Sequence, residues 1–152
     1  MAAAEGSGAS YWARQAAFER GRIALEEDRA ADARDHLSRA LSIRADGLSP
    51  NDECVERAGI LLRLAQSEIA LEHPEVAERL LRSAAEDGVA SGRVTGRYLA
   101  AQASWINASF SHETAERRRL LEAAIRLGRL CGTEEGRELA QKAEIAAKSI
   151  EL

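Results

Sequence analysis

Apolar residues, mostly Ala and Leu, recur along this chain at three- and four-residue spacing, which is the period of one helix face. The stretch ALEHPEVAERLLRSA at 70–84 shows a polar turn followed by such a run. Looser versions occur as ALEEDRAADARDHLSRAL at 24–41 and SFSHETAERRRLLEAAI at 109–125. The pattern therefore predicts a helical chain in which one kind of unit occurs three times.

Capping signals divide the pattern into separate helices. Ser49 followed by Pro50 is typical of a helix start. Three glycines follow helical runs, where a left-handed C-terminal cap favours Gly: Gly47, Gly88 and Gly132. With these signals we predict seven helices, at about 10–27, 30–45, 50–72, 74–87, 92–110, 113–131 and 133–150.

The spacing of the turns groups these helices into pairs. Short polar turns lie near 27–29, at His73 and at Ser111, whereas the connections between pairs contain the glycines. We therefore expect three antiparallel helical hairpins and a final single helix, stacked into one core. A chain of 152 residues suits one domain. The small and polar start, MAAAEGSGAS, predicts a flexible tail over residues 1–10 before a domain at 11–152.

Composition narrows the function classes. Aromatic residues are only 4% and two prolines occur, which favours closely packed helices over a β-sandwich. The net charge of −4 lacks the positive excess that nucleic-acid binding needs. No run approaches the ~20 apolar residues of a membrane span, and the N-terminus lacks a secretory pattern. We predict a cytoplasmic protein with Cys54 and Cys131 as reduced thiols, and no nucleic-acid or membrane partner.

A frame of small residues occurs in the first two predicted hairpins. Gly21 is followed after 12 residues by Ala33, then by a large apolar residue and another small one. The second hairpin repeats this spacing from Ala65. This frame resembles the tetratricopeptide repeat (TPR), with smaller residues at the aromatic positions. Its members are Gly21, Ala33, Leu37 and Ala40 in the first hairpin, and Ala65, Ala77, Leu81 and Ala84 in the second.

The third hairpin departs from the frame. Leu121 and Ala124 fit, but Arg117 stands where a small residue is expected and Trp105 stands where Gly belongs. Either its register is shifted or this hairpin is TPR-like only in architecture. The resemblance covers about residues 11–131. It implies an all-α, TPR-like right-handed solenoid, with 133–150 as the end helix that such arrays carry.

The resemblance also implies a binding site. In TPR proteins, the first helix of each hairpin lines a concave groove that holds a peptide or helix. The Lys and Asn side chains with which some TPR domains bind a terminal carboxylate are missing, so that specificity is not predicted. Alternatively, the N-terminal segment, the end helix or a second copy covers these residues. The predicted groove consists of Phe18, Arg22, Leu25, Leu62, Gln66, Ile69, Gln102, Ile106 and Phe110.

No residue pattern points to catalysis or to metal binding. The histidines show neither HExxH nor zinc-ligand spacing, and no GxSxG occurs. The Gly-rich stretch GVASGRVTG at 88–96 lacks the Walker pattern and is interpreted as a flexible loop. Acidic neighbours of Arg117–Arg119 favour a solvated helix face over a phosphate site. We predict no cofactor, no metal and no enzymatic activity.

These observations support a non-catalytic protein-interaction module. It would act as an adaptor or chaperone-like scaffold that holds an amphipathic or apolar segment through anchors at helical spacing. One alternative is a self-associating module in which the same apolar face forms a homodimer. Another is a regulatory or sensor piece of a larger assembly.

Overall fold

Seven helices make up the chain in the computed structural model, which describes residues 2–150 and, for side chains, residues 8–150. No strand occurs within 2–150, so the predicted all-α class is confirmed. The helices are α1 (Ala2–Glu26), α2 (Ala30–Ser42), α3 (Pro50–Ala70), α4 (Pro74–Ala90), α5 (Val94–Phe110), α6 (Thr114–Leu130) and α7 (Glu134–Ile150).

Most helix ends lie within a few residues of the predicted ends. Ser49 caps α3 as expected, and its side chain accepts a hydrogen bond from the Asp52 backbone N–H at 3.1 Å. The larger difference is at the N-terminus. The sequence placed the first helix start near residue 10, but α1 begins at Ala2. Alanine at positions 2–4 has the highest helix propensity, and this outweighs the two glycines that follow. The predicted flexibility of residues 1–10 stays a prediction.

The glycine caps were predicted correctly at one of three positions. Gly132 follows the C-cap of α6 with a φ of +67°, as a left-handed cap requires, whereas Gly47, at φ +91°, lies in the loop after α2, which ends at Ser42. Gly88 does not cap a helix, because α4 continues to Ala90 and Gly92 takes the left-handed conformation at φ +64°. Gly88 has another role: a Cβ atom there would clash with the backbone oxygen of Gly96. Gly88 is therefore needed for close helix contact, and not for a turn.

The stretch at 88–96 is a tight junction, which corrects the prediction of a flexible loop. Only residues 91–93 separate α4 from α5. The buried Ser91 hydroxyl donates to the Gly88 carbonyl at 2.6 Å and accepts from the Arg93 N–H at 3.1 Å. The same arrangement of glycines recurs 40 residues later between α6 and α7, where a Cβ at Gly128 would lie 2.5 Å from the Gly136 oxygen. Two α-helices can approach this closely only where both lack side chains.

Each helix packs against its neighbours in sequence, and alternate helices form a continuous row. Within 2–150, α1 contacts α3, α3 contacts α5 and α5 contacts α7, whereas α2, α4 and α6 do not contact one another. Successive helices run in opposite directions. For example, Gly21 faces Leu37, while Ala17, earlier in α1, clusters with Ala40, later in α2. The even-numbered helices therefore flank the row and leave gaps between themselves.

The small residues predicted in the first two hairpins are buried. Ala33, Ala40, Ala77 and Ala84 are each 0% exposed. Leu37, Leu81 and Leu121 are also buried and fill the positions where the repeat pattern expects a large side chain. Full burial of each such leucine contributes about 1.5–3 kcal/mol to the free energy of folding. Many small contacts, rather than a few aromatic anchors, form this core.

Candidate functional site

The nine residues of the predicted groove do not form one accessible surface. Leu62 is only 3% exposed and belongs to a core cluster with Leu61 and Leu81, so its assignment to a groove surface is wrong. Ile106 and Phe110 are half-buried and pack against the same cluster. The physical reason is that α3 and α5 contact each other directly, so their facing side chains fill the contact instead of lining a groove.

The rest of the predicted groove surrounds two shallow depressions. Arg22, Leu25 and Gln66 line one of about 330 Å³ between α1 and α3. Ile69 and Phe110 line another of about 330 Å³. Phe18 and Leu25 are half-buried against the cluster around Leu37, and Gln102 is half-buried on α5. Arg22 is engaged by Glu19 at 2.8 Å and by Glu26 at 2.5 Å, on its own helix.

A larger cavity than these two depressions lies in the gap between α4 and α6. We call this gap, with α5 as its floor, the second channel. Its middle has a volume of about 550 Å³, with Leu81, Ala85 and Val89 on one wall and Leu120 and Leu127 on the other. Its end at the α5–α6 turn adds about 310 Å³. Asn107 lines both cavities, so the two lie side by side at this residue.

The corresponding gap between α2 and α4, with α3 as its floor, is the first channel. Leucine side chains occupy it: Leu64 belongs to the cluster of α1 and α2, and Leu41 and Leu80 pack against that cluster. Because the hairpins are offset by 44 and then 40 residues, Leu64 corresponds to Ser104 and Leu41 corresponds to Ala85. Two leucines in the first channel are therefore replaced by small residues in the second, which leaves the second channel open.

Two buried polar side chains form the floor of the second channel. Asn107 is 4% exposed and Ser104 is 5% exposed. Neither side chain forms a hydrogen bond to another group within residues 2–150. Ser67, which corresponds to Asn107 in α3, instead donates to the Arg63 carbonyl. The fully enclosed polar atoms without a partner in the described residues belong to Arg14 and Glu53, so the amide atoms of Asn107 keep contact with the cavity. Asn107 is thus a polar side chain whose unpaired donor and acceptor are open to the cavity.

Charged residues are arranged unevenly along the rim. Glu78 pairs with Arg82 at 2.7 Å and Glu116 pairs with Arg119 at 2.6 Å. The hydrogen bond from Arg119 lowers the pKa of the Glu116 carboxyl below its ordinary value. These two pairs lie where the parts of the channel meet. The turn end keeps two further carboxylates, Glu75 and Glu113, which form no ion pair in the described part of the chain.

The turn between α5 and α6, at this end of the channel, differs from the turns inside the first two hairpins. Asp28 and Glu72 have φ values of +58° and +63°, and tight hydrogen bonds close their turns. In the third turn Ser111 is extended, with ψ at 128°, and no residue of that turn has a positive φ. Half-buried Trp105 takes a position that Ala65 fills in the second hairpin, and Arg117 is exposed where Ala77 is buried. The third hairpin keeps the connection length but not the small residues at these two positions.

The histidine, cysteine and arginine side chains considered as candidates lie in ordinary structural surroundings. Residues 2–150 contain no group of three or more His, Cys, Asp or Glu placed to hold a metal ion. His73 Nδ1 lies 2.6 Å from the buried Glu68 carboxylate, so its position at a turn is explained by a structural contact. Cys131 is buried, which raises the pKa of its thiol. Arg119 bonds to Glu116 as the acidic surroundings predicted.

The sequence contains one signal of this channel. Asn107 lies in a run of α5 in which the helical period places small residues inside, beside Ala100, Ala103 and Ser104. Asn107 is therefore a polar residue at a helix position that faces the core. The sequence Asn107-Ala108-Ser109 has the form of a glycosylation sequon. Because the Asn107 side chain is buried, it is not an accessible glycan acceptor.

Comparison with known proteins adds no assignment. No family model, curated protein or solved structure matches this chain. None of the helices described between residues 2 and 150 is both long and apolar enough to cross a bilayer.

Proposed function

We propose that this chain is a non-catalytic protein-interaction module that binds a segment of a partner protein in the second channel. The observation that carries the proposal is the unpaired, buried Asn107 at the floor of an open cavity. An asparagine side chain offers both a donor and an acceptor, which are the groups that a peptide backbone needs. The proposal keeps the adaptor or chaperone-like class predicted from the sequence and moves the site from the predicted groove.

The dimensions of the channel support a peptide rather than a small metabolite. The channel follows α4 from Pro74 to Ala90, which is roughly 25 Å at 1.5 Å per residue. Apolar side chains line its middle part and charged groups line its rim. This combination suits a segment with apolar anchors and polar flanks. A TPR-like solenoid and a cytoplasmic location remain parts of the same proposal, and the free thiols Cys54 and Cys131 support the second.

A peptide selection tests the proposal. The full chain is immobilised and used to select binders from a random 12-residue peptide library. Ser104→Leu serves as a variant in which the channel is filled, because the leucine restores the side chain found in the first channel. Ser109→Leu is the matched control, since Ser109 is exposed on the same helix and does not line the channel. We expect selected peptides to bind the parent and Ser109→Leu, and to bind Ser104→Leu at least about tenfold more weakly.

Two results would count against the proposal. Binding that Ser104→Leu leaves unchanged would place the site on another surface, with the depression at Arg22, Leu25 and Gln66 next in order. A parent chain that is dimeric in light scattering, and that Ser104→Leu converts to a monomer, would instead assign the channel to a second copy. That outcome would establish the self-associating alternative.

A further inference from the structure

The turn end of the second channel is a cavity of about 310 Å³ in which four carboxylates, one aromatic ring and the buried Asn107 side chain converge. The carboxylates belong to Glu75, Glu78, Glu113 and Glu116. We propose that this cavity is a subsite for the guanidinium group of an arginine in the bound segment. The inference rests on the proposed function, because the arginine belongs to the segment that occupies the channel.

The charge of the subsite favours a cation after its internal partners are counted. Arg82 and Arg119 neutralise Glu78 and Glu116, so Glu75 and Glu113 remain. The N-termini of α4 and α6 both lie here, and each contributes roughly half a positive charge. Two unpaired carboxylates against two helix ends leave an excess of about one negative charge. The helix dipoles alone therefore do not account for the acidic groups.

Asn107 gives the independent indication that a ligand belongs in this cavity. Its side chain is more than nine-tenths buried, lines the cavity and has no hydrogen-bond partner in the described chain. The amide oxygen can accept a hydrogen bond from a guanidinium N–H group. Phe110 lines the same cavity and supplies an aromatic ring, a group on which planar guanidinium groups stack. Arginine fits these groups better than lysine, because its donors are planar and number five.

The test uses two small probes that differ only in charge. Acetyl-arginine amide and acetyl-citrulline amide have nearly the same shape, but the citrulline side chain is neutral. Each is titrated into the isotope-labelled full chain at the same pH and ionic strength. We expect the arginine probe to shift the side-chain amide resonances of Asn107 saturably. The citrulline probe should bind at least about tenfold more weakly. Equal binding of both probes would overturn the subsite.

Matched variants separate the subsite from a general charge effect. Glu75→Gln together with Glu113→Gln removes two exposed carboxylates of the cavity, so the fold should be retained. Glu134→Gln together with Glu135→Gln removes the same charge from the first turn of α7, outside the cavity. We expect only the first pair to abolish the arginine-induced shifts. If both pairs weaken binding equally, the arginine responds to net charge and the subsite is wrong.

The subsite and the proposed function can fail separately. Library peptides that need an open channel but show no basic residue would overturn the subsite and leave the function standing. Arginine binding at Asn107 without any peptide binding would support the subsite and overturn the function. Asn107→Ala gives a final check, because it removes no hydrogen bond of the folded chain. We expect it to lose the arginine probe while its melting temperature stays equal to or above that of the parent.

Discussion

The two channels are built from the same kind of helix triplet but differ in what fills them. In the first, Leu41 and Leu64 close the gap between α2 and α4 over α3. In the second, Ala85 and Ser104 occupy the corresponding positions, and a cavity of about 550 Å³ stays open. The first arrangement buries more apolar surface, whereas the second leaves the unpaired amide of Asn107 facing an open cavity. Departures from full apolar packing of this kind are expected at functional sites.

Truncation of a leucine should have the largest effect in the filled channel. Leu64→Ala should lower the free energy of unfolding by about 2–5 kcal/mol, because it opens a void among packed side chains. Leu120→Ala should cost at least about 1 kcal/mol less, since one side of Leu120 already faces the cavity. Both leucines are similarly buried, at 6% and 7% exposed, so burial alone does not separate them. Urea denaturation of both variants measures the difference, and equal losses would contradict the comparison.

The second prediction concerns the junction that holds the wall of the second channel. Gly88→Ala should lower the free energy of unfolding by about 1–3 kcal/mol, because the new Cβ meets the Gly96 backbone oxygen, which has little freedom to move. Gly59→Ala is the control: no atom lies within 4 Å of a Cβ there, and Gly59 is inside α3. Gly59→Ala should raise the free energy of unfolding by about 0.5–1 kcal/mol. If thermal unfolding shows that both substitutions change the stability in the same direction, Gly88 does not have this role.

The third prediction fills the open channel. Ser104→Leu should raise the free energy of unfolding by about 1 kcal/mol, because the side chain enters an existing cavity and buries apolar surface there. The same substitution at Ser109 leaves the leucine exposed and should change stability by less than about 0.5 kcal/mol. Urea midpoints would show this contrast. A destabilised Ser104→Leu would mean that the channel cannot accept a leucine and that the first channel is a poor template for it.

The smallest expected effect is on pH dependence at the rim of the second channel. Since Arg119 lowers the pKa of Glu116 in the folded chain, this pair stabilises the fold above the ordinary glutamate pKa of about 4.3. The contribution is lost as the pH falls through the lowered value. Glu116→Gln should therefore cost a few tenths of a kcal/mol at pH 7, because Arg119 is largely exposed. The difference from the parent should shrink as the pH falls below the ordinary glutamate pKa, and a difference that stays constant there would contradict the assignment.

The helices were predictable from the sequence because their signals are local. Ser49, Pro50 and Pro74 fix helix starts through their own backbone and side chains, and the period of Ala and Leu fixes the buried face. Gly88 and Gly92 show where this reasoning stops. Both a left-handed cap and a close helix contact require glycine, and only the folded chain shows which residue has which role.

The candidate site was harder to predict, because it depends on which helix covers which face. Leu62 and Ile69 lie on one side of α3, two turns apart, yet Leu62 is 3% exposed and Ile69 is 37% exposed. The neighbouring α5 covers the first but not the second, and sequence spacing contains no such information. Asn107 could be recognised in the sequence as a polar residue on an apolar helix face. That it faces a cavity could not, because the cavity exists only where two leucines of the first channel are replaced by small residues distant in sequence.

The connectivity of the row of helices also has a consequence for folding kinetics. Within residues 2–150, every helix contacts only its first or second neighbour along the chain. Contacts between helices therefore form without the closure of long loops, which corresponds to a low relative contact order. Refolding should be complete within milliseconds, as for other helical proteins of local topology. Amide hydrogen exchange should then be fastest in α1 and α7, each of which lacks neighbours on one side, and slowest in α3 to α5.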